Sequence, residues 1–220
     1  MPALLNPSTG RNRLPILNIL RSQIDNAFRR ENPTQPVRIL EIASGTGEHA
    51  AFFSSQIPHL VYQPTEPQES MAESISCWAA DLLTDKSSSV VLPPLSVSAE
   101  FFSNSSKLPA RLVEEESSAS TAPAVDMLVC VNMIHISPFS STHDLFQAAH
   151  AVLRPGGLVF LYGPFREGQT MVDSNEAFDA SLRSRDPSWG IRELAEVIGV
   201  AEEAGLVQQD RVEMPANNLC

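Results

Sequence analysis

The stretch RILEIASGTGEHA, Arg38 to Ala50, decides the fold of this chain. It begins with a short apolar run, which is typical of a buried strand, and continues through a turn into a segment compatible with a helix. The glycines at positions 45 and 47 allow the backbone to come close to a ligand. A strand, a glycine-containing turn and a helix in this order hold nucleotide-type cofactors in many α/β proteins.

The rest of the chain alternates in the same way between predicted strands and helices. The predicted strands are 59–66, 90–97, 126–136, 158–165 and 206–214, and the predicted helices are 12–30, 47–56, 70–83, 141–154, 173–185 and 190–205. This alternation predicts one Rossmann-like α/β domain over residues 1–220, doubly wound, with a mostly parallel sheet and helices on both faces. We expect Pro15 in the first turn of the first helix. The Ser- and Pro-rich segment 84–124 is expected to be an insertion or loop.

The composition and charge of the chain argue against some classes of binding partner. The chain has 220 residues, 43% of them hydrophobic, and a formal net charge of -11. An acidic chain is a poor candidate for binding nucleic acid or an anionic membrane surface. We find no apolar run long enough for a transmembrane helix and no signal-peptide pattern at the N-terminus. The three cysteines and the histidines lack metal-ligand spacing, so we expect a cytoplasmic protein without a metal.

The glycine pattern by itself leaves two cofactors open. GTGEHA, from Gly45 to Ala50, fits the dinucleotide fingerprint G-x-G-x-x-G/A. Glu66 ends the next predicted strand, where an acid can hold ribose hydroxyls. A nicotinamide or flavin dinucleotide is therefore one interpretation, although short glycine patterns also arise by chance.

Glu41 argues against a dinucleotide and favours a cofactor with a cationic end. It ends the predicted strand beside the loop, where a dinucleotide places its anionic pyrophosphate against the N-terminus of the helix. A carboxylate there raises the electrostatic cost of that anion. S-adenosylmethionine (SAM) has no phosphate and carries an ammonium and a sulfonium, so an acid near its methionine end is favourable. The spacing of Glu41, Ala43, Gly45 and Gly47 therefore suits SAM better.

Further motifs resemble those of class I SAM-dependent methyltransferases. They are the acid of YQPTEP and the segments VCVNMIHISP and LRPGGLVFLYGPF. The chain is more closely similar to a little-characterised methyltransferase-like family, a domain of unknown function. The motifs of that family stand here as RNRLPIL (11–17), NMIHI (132–136), LYGPF (161–165), SNEAFDASL (174–182), RDPSWG (185–190) and EMPANNL (213–219). The resemblance covers nearly all of the chain outside residues 84–124.

The resemblance implies a set of cofactor-binding residues: Arg11, Asn12, Glu41, Ala43, Gly45, Gly47, Glu66, Asn132 and Met133. The loop after the first strand would hold the methionine end, and the acid at position 66 would hold the ribose. The segment after the fourth strand, Asn132 to His135, would face the transferred methyl group. Residues 1–35 would form a helical lid over the cofactor.

Three residues near the predicted strand ends are candidates for catalysis. His135 follows an apolar strand and could act as a general base, or it could simply be hydrogen-bonded into the end of the sheet. Tyr162 could donate to a substrate oxygen, and Arg166 could pair with a substrate carboxylate. A polar cluster after the last strand is predicted to bind substrate: Glu213, Asn217 and Asn218.

The chain departs from the family pattern in two places. Ser98 stands where the family usually has an acid near the adenine, and Asp81 or Glu100 are possible substitutes. The family also continues past the EMPANNL motif with a closing apolar strand. A last strand is therefore expected to be missing from the sheet, which leaves an edge exposed or covered by a partner.

These observations lead to one first hypothesis and two alternatives. The first is SAM-dependent methyl transfer to a small molecule, since the acidic surface disfavours a nucleic acid substrate. The second is a cyclase, isomerase or lyase on the same scaffold that has lost or repurposed SAM. The third is a non-catalytic binding protein. A homodimer through the exposed sheet edge is also expected as a possibility.

Overall fold

The structure is a computed structural model, and it describes residues 3–83, 87–98, 125–168 and 171–220. Most of the predicted insertion 84–124 lies outside these described residues. The described helices are α1 (Pro7–Phe28), α2 (Glu48–Gln56), α3 (Glu69–Leu82), α4 (Ser140–Val152), α5 (Asp173–Arg185) and α6 (Leu194–Glu203). The described strands are β1 (Val37–Ile42), β2 (Leu60–Pro64), β3 (Val90–Val91), β4 (Val125–Val131), β5 (Leu153–Arg166), β6 (Arg192–Glu193), β7 (Glu213–Met214) and β8 (Asn218–Leu219).

These strands form one sheet in the order β3-β2-β1-β4-β5-β8-β7, with β6 paired to the end of β5. The pairs from β3 to β5 are all parallel, and β8 runs antiparallel to both β5 and β7. The order reverses at β1, so the crevice at the carboxyl ends of β1 and β4 is where such a sheet binds ligands. The predicted α/β class with a mostly parallel sheet is confirmed.

Both faces of the sheet are covered, as the alternating side chains of a strand require. Ile39 of β1 points into the cluster formed by α1 and α2, and its neighbour Leu40 points into the cluster formed by α4 and α6. Val129 and Leu128 of β4 divide between the same two clusters. Central strands buried on both sides explain why their sequences read as continuous apolar runs rather than alternating ones.

The first helix begins earlier than its sequence pattern indicates. Asn6 caps it by accepting a hydrogen bond from the Ser8 backbone N–H, and Pro7 occupies the first position. Pro15 therefore lies inside the helix, and its placement in the first turn was wrong. Pro15 has no N–H, so one bond of the helical ladder is missing there. Burial of the apolar face of α1 against the sheet compensates for that loss.

Two predicted strands are much shorter than expected. Of 90–97, only β3 and a bridge from Leu95 to Thr65 pair with the sheet, because Pro93 and Pro94 have no N–H to donate. Of 206–214, only β7 is a strand, and 207–211 is exposed and without regular structure. No helix among the described residues is long and apolar enough to cross a membrane.

Two substitutions in α1 test how much its burial contributes to the free energy of unfolding. Leu20 is 0% exposed, whereas Leu14 on the same helix is 58% exposed. We expect Leu20→Ala to lower the free energy of unfolding by about 2–5 kcal/mol, because it leaves a cavity between the helix and the sheet. Leu14→Ala should change it by about 0.5 kcal/mol or less. Urea unfolding followed by circular dichroism gives both values. Equal effects of the two substitutions would contradict the packing of α1 against the sheet.

Candidate functional site

The loop after β1 has the backbone shape of a close-approach turn. Ala43, Gly45 and Gly47 have φ values of 56°, 56° and 83°, in the left-handed region. A Cβ on Gly47 would lie 2.5 Å from the Ile75 Cα atom of α3, so only glycine fits at that position. The two glycines of the motif thus serve the loop in different ways, because Gly45 faces open space and Gly47 packs against a helix.

The end of β2 holds this loop in place through hydrogen bonds that the sequence did not reveal. The Ser44 backbone N–H donates to the Thr65 carbonyl at 2.8 Å, and the Thr65 hydroxyl donates to the Glu41 carbonyl at 3.0 Å. The Ser74 hydroxyl of α3 donates to the Thr46 carbonyl at 2.9 Å. Thr65 is 0% exposed. The sequence contained a weak signal for this role, because a threonine directly before a predicted site acid can help to position the site.

Glu66, the predicted ribose acid, lies directly against the loop. Its Oε2 atom accepts a hydrogen bond from the Gly45 backbone N–H at 2.9 Å, and its Oε1 atom accepts one from the Gln68 N–H at 3.1 Å. Burial raises the pKa of Glu66, and these two donors work against that rise. The carboxylate therefore joins the carboxyl end of β2 to the glycine loop.

Glu41 is the most perturbed acid of the site. It is 1% exposed, and burial raises its pKa from 4.5 to about 7, with nearby Glu66 adding to the rise and a Ser44 hydrogen bond opposing it. The Tyr62 hydroxyl lies beside the carboxylate without good hydrogen-bond geometry, and the Glu41 Oε2 atom has no partner among the described residues. No lysine or arginine of the described chain forms an ion pair with either acid. The site therefore contains buried negative charge without a positive partner.

The segment after β4 turns over the same crevice. Asn132 has a φ of 61°, and its backbone N–H donates to the Tyr162 carbonyl at 2.8 Å. Met133 begins a short 3-10 turn, and its sulfur accepts a hydrogen bond from the Ser137 hydroxyl at 3.3 Å. The left-handed turn at Asn132 is what directs the chain across the end of β5.

A polar cluster from α1, α2 and β5 faces this turn. The Asn12 Oδ1 atom lies 2.9 Å from the His49 Nε2 atom, and the Asn12 side chain lies near the Tyr162 hydroxyl. Burial raises the pKa of Tyr162 and lowers that of His49 to about 4. Arg11 is exposed on the same turn of α1. His49 was not among the predicted site residues, although its position directly after the glycine loop was a signal for it.

His135 is buried beneath the crevice instead of lining it. It is 1% exposed, and neither ring nitrogen has a hydrogen-bond partner among the described residues. The ring meets the edge of Phe165 at 5.2 Å, and a Cβ on Gly163 would collide with its Nε2 atom. Burial and nearby Arg192 lower the pKa of His135 to about 3. An imidazole that is this weakly basic and this enclosed argues against a role as general base.

Arg192 holds the turn after β4 from below, a role that sequence reasoning missed. Its buried guanidinium donates to the Ile134 carbonyl at 2.9 Å and also to the carbonyls of Ser137 and Ser188. The cation also lies over the ring of Phe139 at 5.5 Å. Arg192 lies two residues after the end of the RDPSWG motif, so the segment that follows this motif positions the NMIHI motif.

The remaining predicted residues lie apart from this cluster. Arg166 forms an ion pair with Glu193 at 3.0 Å and is not free for a substrate carboxylate. Glu213 is exposed and lies 3.5 Å from Arg211. Asn217 donates to the Ser174 hydroxyl at 3.1 Å, and Asn218 donates to carbonyls of its own turn. These contacts hold Asn218 within the β7–β8 turn and link Asn217 to the first turn of α5.

The predicted adenine side is only partly described. Ser98 is exposed after β3, and Asp81 is exposed in the last turn of α3, whereas Glu100 lies outside the described residues. No group of three or more His, Cys, Asp or Glu residues in the described part of the chain is arranged to hold a metal ion.

The N-terminal segment docks beside the glycine loop. The Leu4 backbone N–H donates to the Ser74 hydroxyl at 2.8 Å, and the Trp78 indole N–H donates to the Leu4 carbonyl at 2.8 Å. Arg13 forms an ion pair with Glu48 at 3.4 Å in the first turn of α2. Ser74 therefore bonds both to the N-terminal segment and to the loop, and links the two.

Several solved structures of similar shape are described as methyltransferases. The SAM-dependent methyltransferase SibL matches with a TM-score of 0.65 at 15% identity, over 96% of this chain and 55% of SibL. CalO1, a methyltransferase in calicheamicin biosynthesis solved with S-adenosylhomocysteine bound, matches at 0.60 and 13% identity, over 91% and 52%. A putative sarcosine dimethylglycine methyltransferase from Galdieria sulphuraria matches at 0.62 and 15% identity, over 98% and 72%. The chain thus spans about half the length of the first two proteins, and these likenesses identify the fold.

The family assignment comes from the sequence itself. One family model matches residues 4–220, which is nearly all of the chain and includes every motif discussed above. That family is described as a protein of unknown function, DUF938. The chain belongs to this family.

Proposed function

We propose that this chain is a SAM-dependent methyltransferase that acts on a small molecule. The observation that carries the proposal is the pair of buried acids, Glu41 and Glu66, at the carboxyl ends of β1 and β2. They lie against a loop of left-handed backbone, and no described basic side chain is paired with them. Buried carboxylates that lack a positively charged partner favour a cationic ligand and disfavour a phosphate. SAM has a cationic methionine end and no phosphate, whereas a dinucleotide carries an anionic pyrophosphate.

The residues fit the two ends of SAM in different ways. Glu41 would face the ammonium end, and the exposed backbone around Gly45 would let the methionine part approach closely. Glu66 would stand on the ribose side. When bound, SAM would supply an activated methyl group on a sulfonium. The contacts from β2 to the loop would keep both carboxylates in place without a ligand, so that little rearrangement is needed on binding.

The acceptor side would be formed by Asn12, Tyr162 and Asn132. The Asn132 backbone N–H bonds to the Tyr162 carbonyl, and the Asn12 side chain lies near the Tyr162 hydroxyl, so these residues would orient a small polar molecule by hydrogen bonds. Methyl transfer is an in-line displacement in which the protein mainly aligns the reacting atoms. Since His135 is a weak, enclosed base, the proposal favours an acceptor that needs no strong general base from the protein. A cyclase, isomerase or lyase would need such groups in the crevice and has less support.

The raised pKa of Glu41 predicts how SAM affinity depends on pH. A cation binds the ionised carboxylate, and ionisation near pH 6 costs free energy when the pKa is about 7. We therefore expect SAM to bind about tenfold more weakly near pH 6 than near pH 8, and binding near pH 7 to release a proton. Calorimetry in buffers of different ionisation enthalpy measures both effects.

Glu41→Gln should abolish the pH dependence and weaken binding near pH 8, and Glu202→Gln on the exposed end of α6 is the control. Equal affinities for wild type and Glu41→Gln at that pH would contradict the proposal.

Glu41→Gln should weaken SAM binding near pH 8, but it should stabilise the folded chain at that pH. The pKa of Glu41 is about 7 in the folded chain and 4.5 in a reference peptide, so the folded state loses stability as pH rises between these values. Glu41→Gln removes this loss. Near pH 8 it should raise the free energy of unfolding by an amount on the order of 3 kcal/mol, and near pH 4 the difference should vanish. A variant that is destabilised at both pH values would show that Glu41 is a structural acid.

Methyl transfer itself can be followed without knowing the acceptor. We expect label from methyl-labelled SAM to appear in the ultrafiltered small-molecule fraction of a cell extract after incubation with the protein. Gly45→Arg places a long cation in the loop beside Glu66 and should abolish both binding and transfer. Label found only in protein or nucleic acid would contradict a small-molecule acceptor, and SAM binding without any transfer would favour a binding protein.

A further inference from the structure

Three buried polar side chains from three different elements meet beneath α1. They are Asn12 of α1, His49 of α2 and Tyr162 of β5, and we call them the Asn12 cluster. Polar groups that are buried this deeply are normally bonded to one another. Asn12 and Tyr162 belong to the proposed acceptor side, whereas His49 has no part in holding either end of SAM. Its contact with Asn12 indicates a different role.

The register of the sheet places Tyr162 at the edge where ligands bind. Tyr162 pairs with Val131, the last residue of β4. Glu41 pairs with Val129, two residues earlier in the same strand. Paired residues of a parallel sheet point to one face, and so do residues two apart in a strand, so Tyr162 and Glu41 share a face. They stand two strands apart, with β4 between them, which assigns Tyr162 to the acceptor side of the crevice.

The surroundings of His49 keep its imidazole neutral and fix its plane. Burial lowers the pKa of His49 to about 4, and the nearby cation of Arg13 adds to this effect. Arg13 is held there by its ion pair with Glu48 at 3.4 Å. The imidazole stacks on the ring of Phe53 with 5.3 Å between the centroids. Near pH 7 the ring therefore offers one N–H donor and one acceptor nitrogen, each in a fixed direction.

The contact between His49 and Asn12 sets the direction of the hydrogen bonds in the cluster. An amide oxygen can only accept, so the Nε2 atom of His49 carries the proton and donates to the Asn12 Oδ1 atom at 2.9 Å. With its oxygen directed at His49, Asn12 turns its N–H groups towards Tyr162. An N–H donor beside the phenol oxygen agrees with the influence of Asn12, which lowers the pKa of Tyr162 against the effect of burial. The proton of the Tyr162 hydroxyl then points away from Asn12.

We propose that His49 is a positioning residue that, through Asn12, turns the Tyr162 hydroxyl so that it donates a hydrogen bond to an oxygen of the acceptor molecule. The acceptor would then present a carbonyl or carboxylate oxygen to Tyr162. In the reverse arrangement Tyr162 would donate to Asn12, and only its oxygen would be left to receive an N–H group. The role towards the acceptor rests on the proposed methyl transfer, whereas the orientation of the three side chains does not.

The first test is the tautomer of His49, measured by NMR of the imidazole nitrogens in the full chain. His49→Gln identifies the His49 signals by their disappearance. We expect the proton on the Nε2 atom near pH 7, and Asn12→Leu should remove this preference because it removes the amide oxygen. A proton on the Nδ1 atom would mean that the amide is turned the other way, and it would overturn the proposal.

The second test separates orientation from packing with two variants of His49. His49→Gln places an amide N–H near the position of the Nε2 atom, whereas His49→Leu fills the space without a donor. The chain has two tyrosines, so the Cζ resonance of Tyr162 can be followed by NMR. It should stay near its wild-type position in His49→Gln and move in His49→Leu, and His150→Leu on the exposed end of α4 is the control. Equal shifts in both His49 variants would show that only packing matters and would overturn the proposal.

The third test links the cluster to methyl transfer from labelled SAM. Tyr162→Phe and His49→Leu should each slow the transfer of label roughly tenfold, because one hydrogen bond to the acceptor is lost or misdirected, and His49→Gln should retain most of the rate. Calorimetry should give the wild-type SAM affinity for all three variants. Weaker SAM binding by Tyr162→Phe would assign the tyrosine to the cofactor and overturn the acceptor role. Absence of transfer by the wild-type chain would contradict the proposed function, and the two NMR tests would still decide the orientation.

Discussion

The bonding of the end of β2 to the loop after β1 is the constraint on which the candidate site depends. Thr65 and Glu66 between them bond to Ser44, to Gly45 and to the carbonyl of Glu41. The two parallel strands are thereby joined beyond the last pair of their ladder. This joint keeps two carboxylates in a buried place, where burial raises the pKa of both and the charge of Glu66 raises that of Glu41 further.

A pair of buried acids of this kind lowers the stability of the folded chain. A folded protein gains nothing from burying a carboxylate whose charge has no partner, and the surrounding core could accommodate a neutral residue at the same place. The packing of Gly47 against Ile75 is a further constraint at this place, because it leaves no room for a side chain. Strained or costly features that gather at one end of a sheet are typical of binding sites.

Much of the fold was predictable because its signals are local. Apolar runs marked β1, β4 and β5, and the glycines at 45 and 47 marked the turn. The sequence could not indicate that Pro15 lies inside α1, because tertiary burial outweighs the missing hydrogen bond. It overestimated the strand at 206–214, whose pairing depends on a neighbour rather than on its own residues. It also could not separate His135 from His49, since the fold buries both and only the assembled structure gives His49 a polar neighbour in Asn12 and leaves His135 with none among the described residues.

Arg192 has a consequence for how the two halves of the crevice respond to their surroundings. Its guanidinium is bonded to backbone carbonyls close to His135, and its positive charge adds to the effect of burial in lowering the pKa of that imidazole. The imidazole on the β4 side is therefore held neutral, while the carboxylate on the β1 side changes its charge near neutrality. One side of the sheet end therefore keeps its charge as the pH changes, whereas the other side gains negative charge as the pH rises through neutrality.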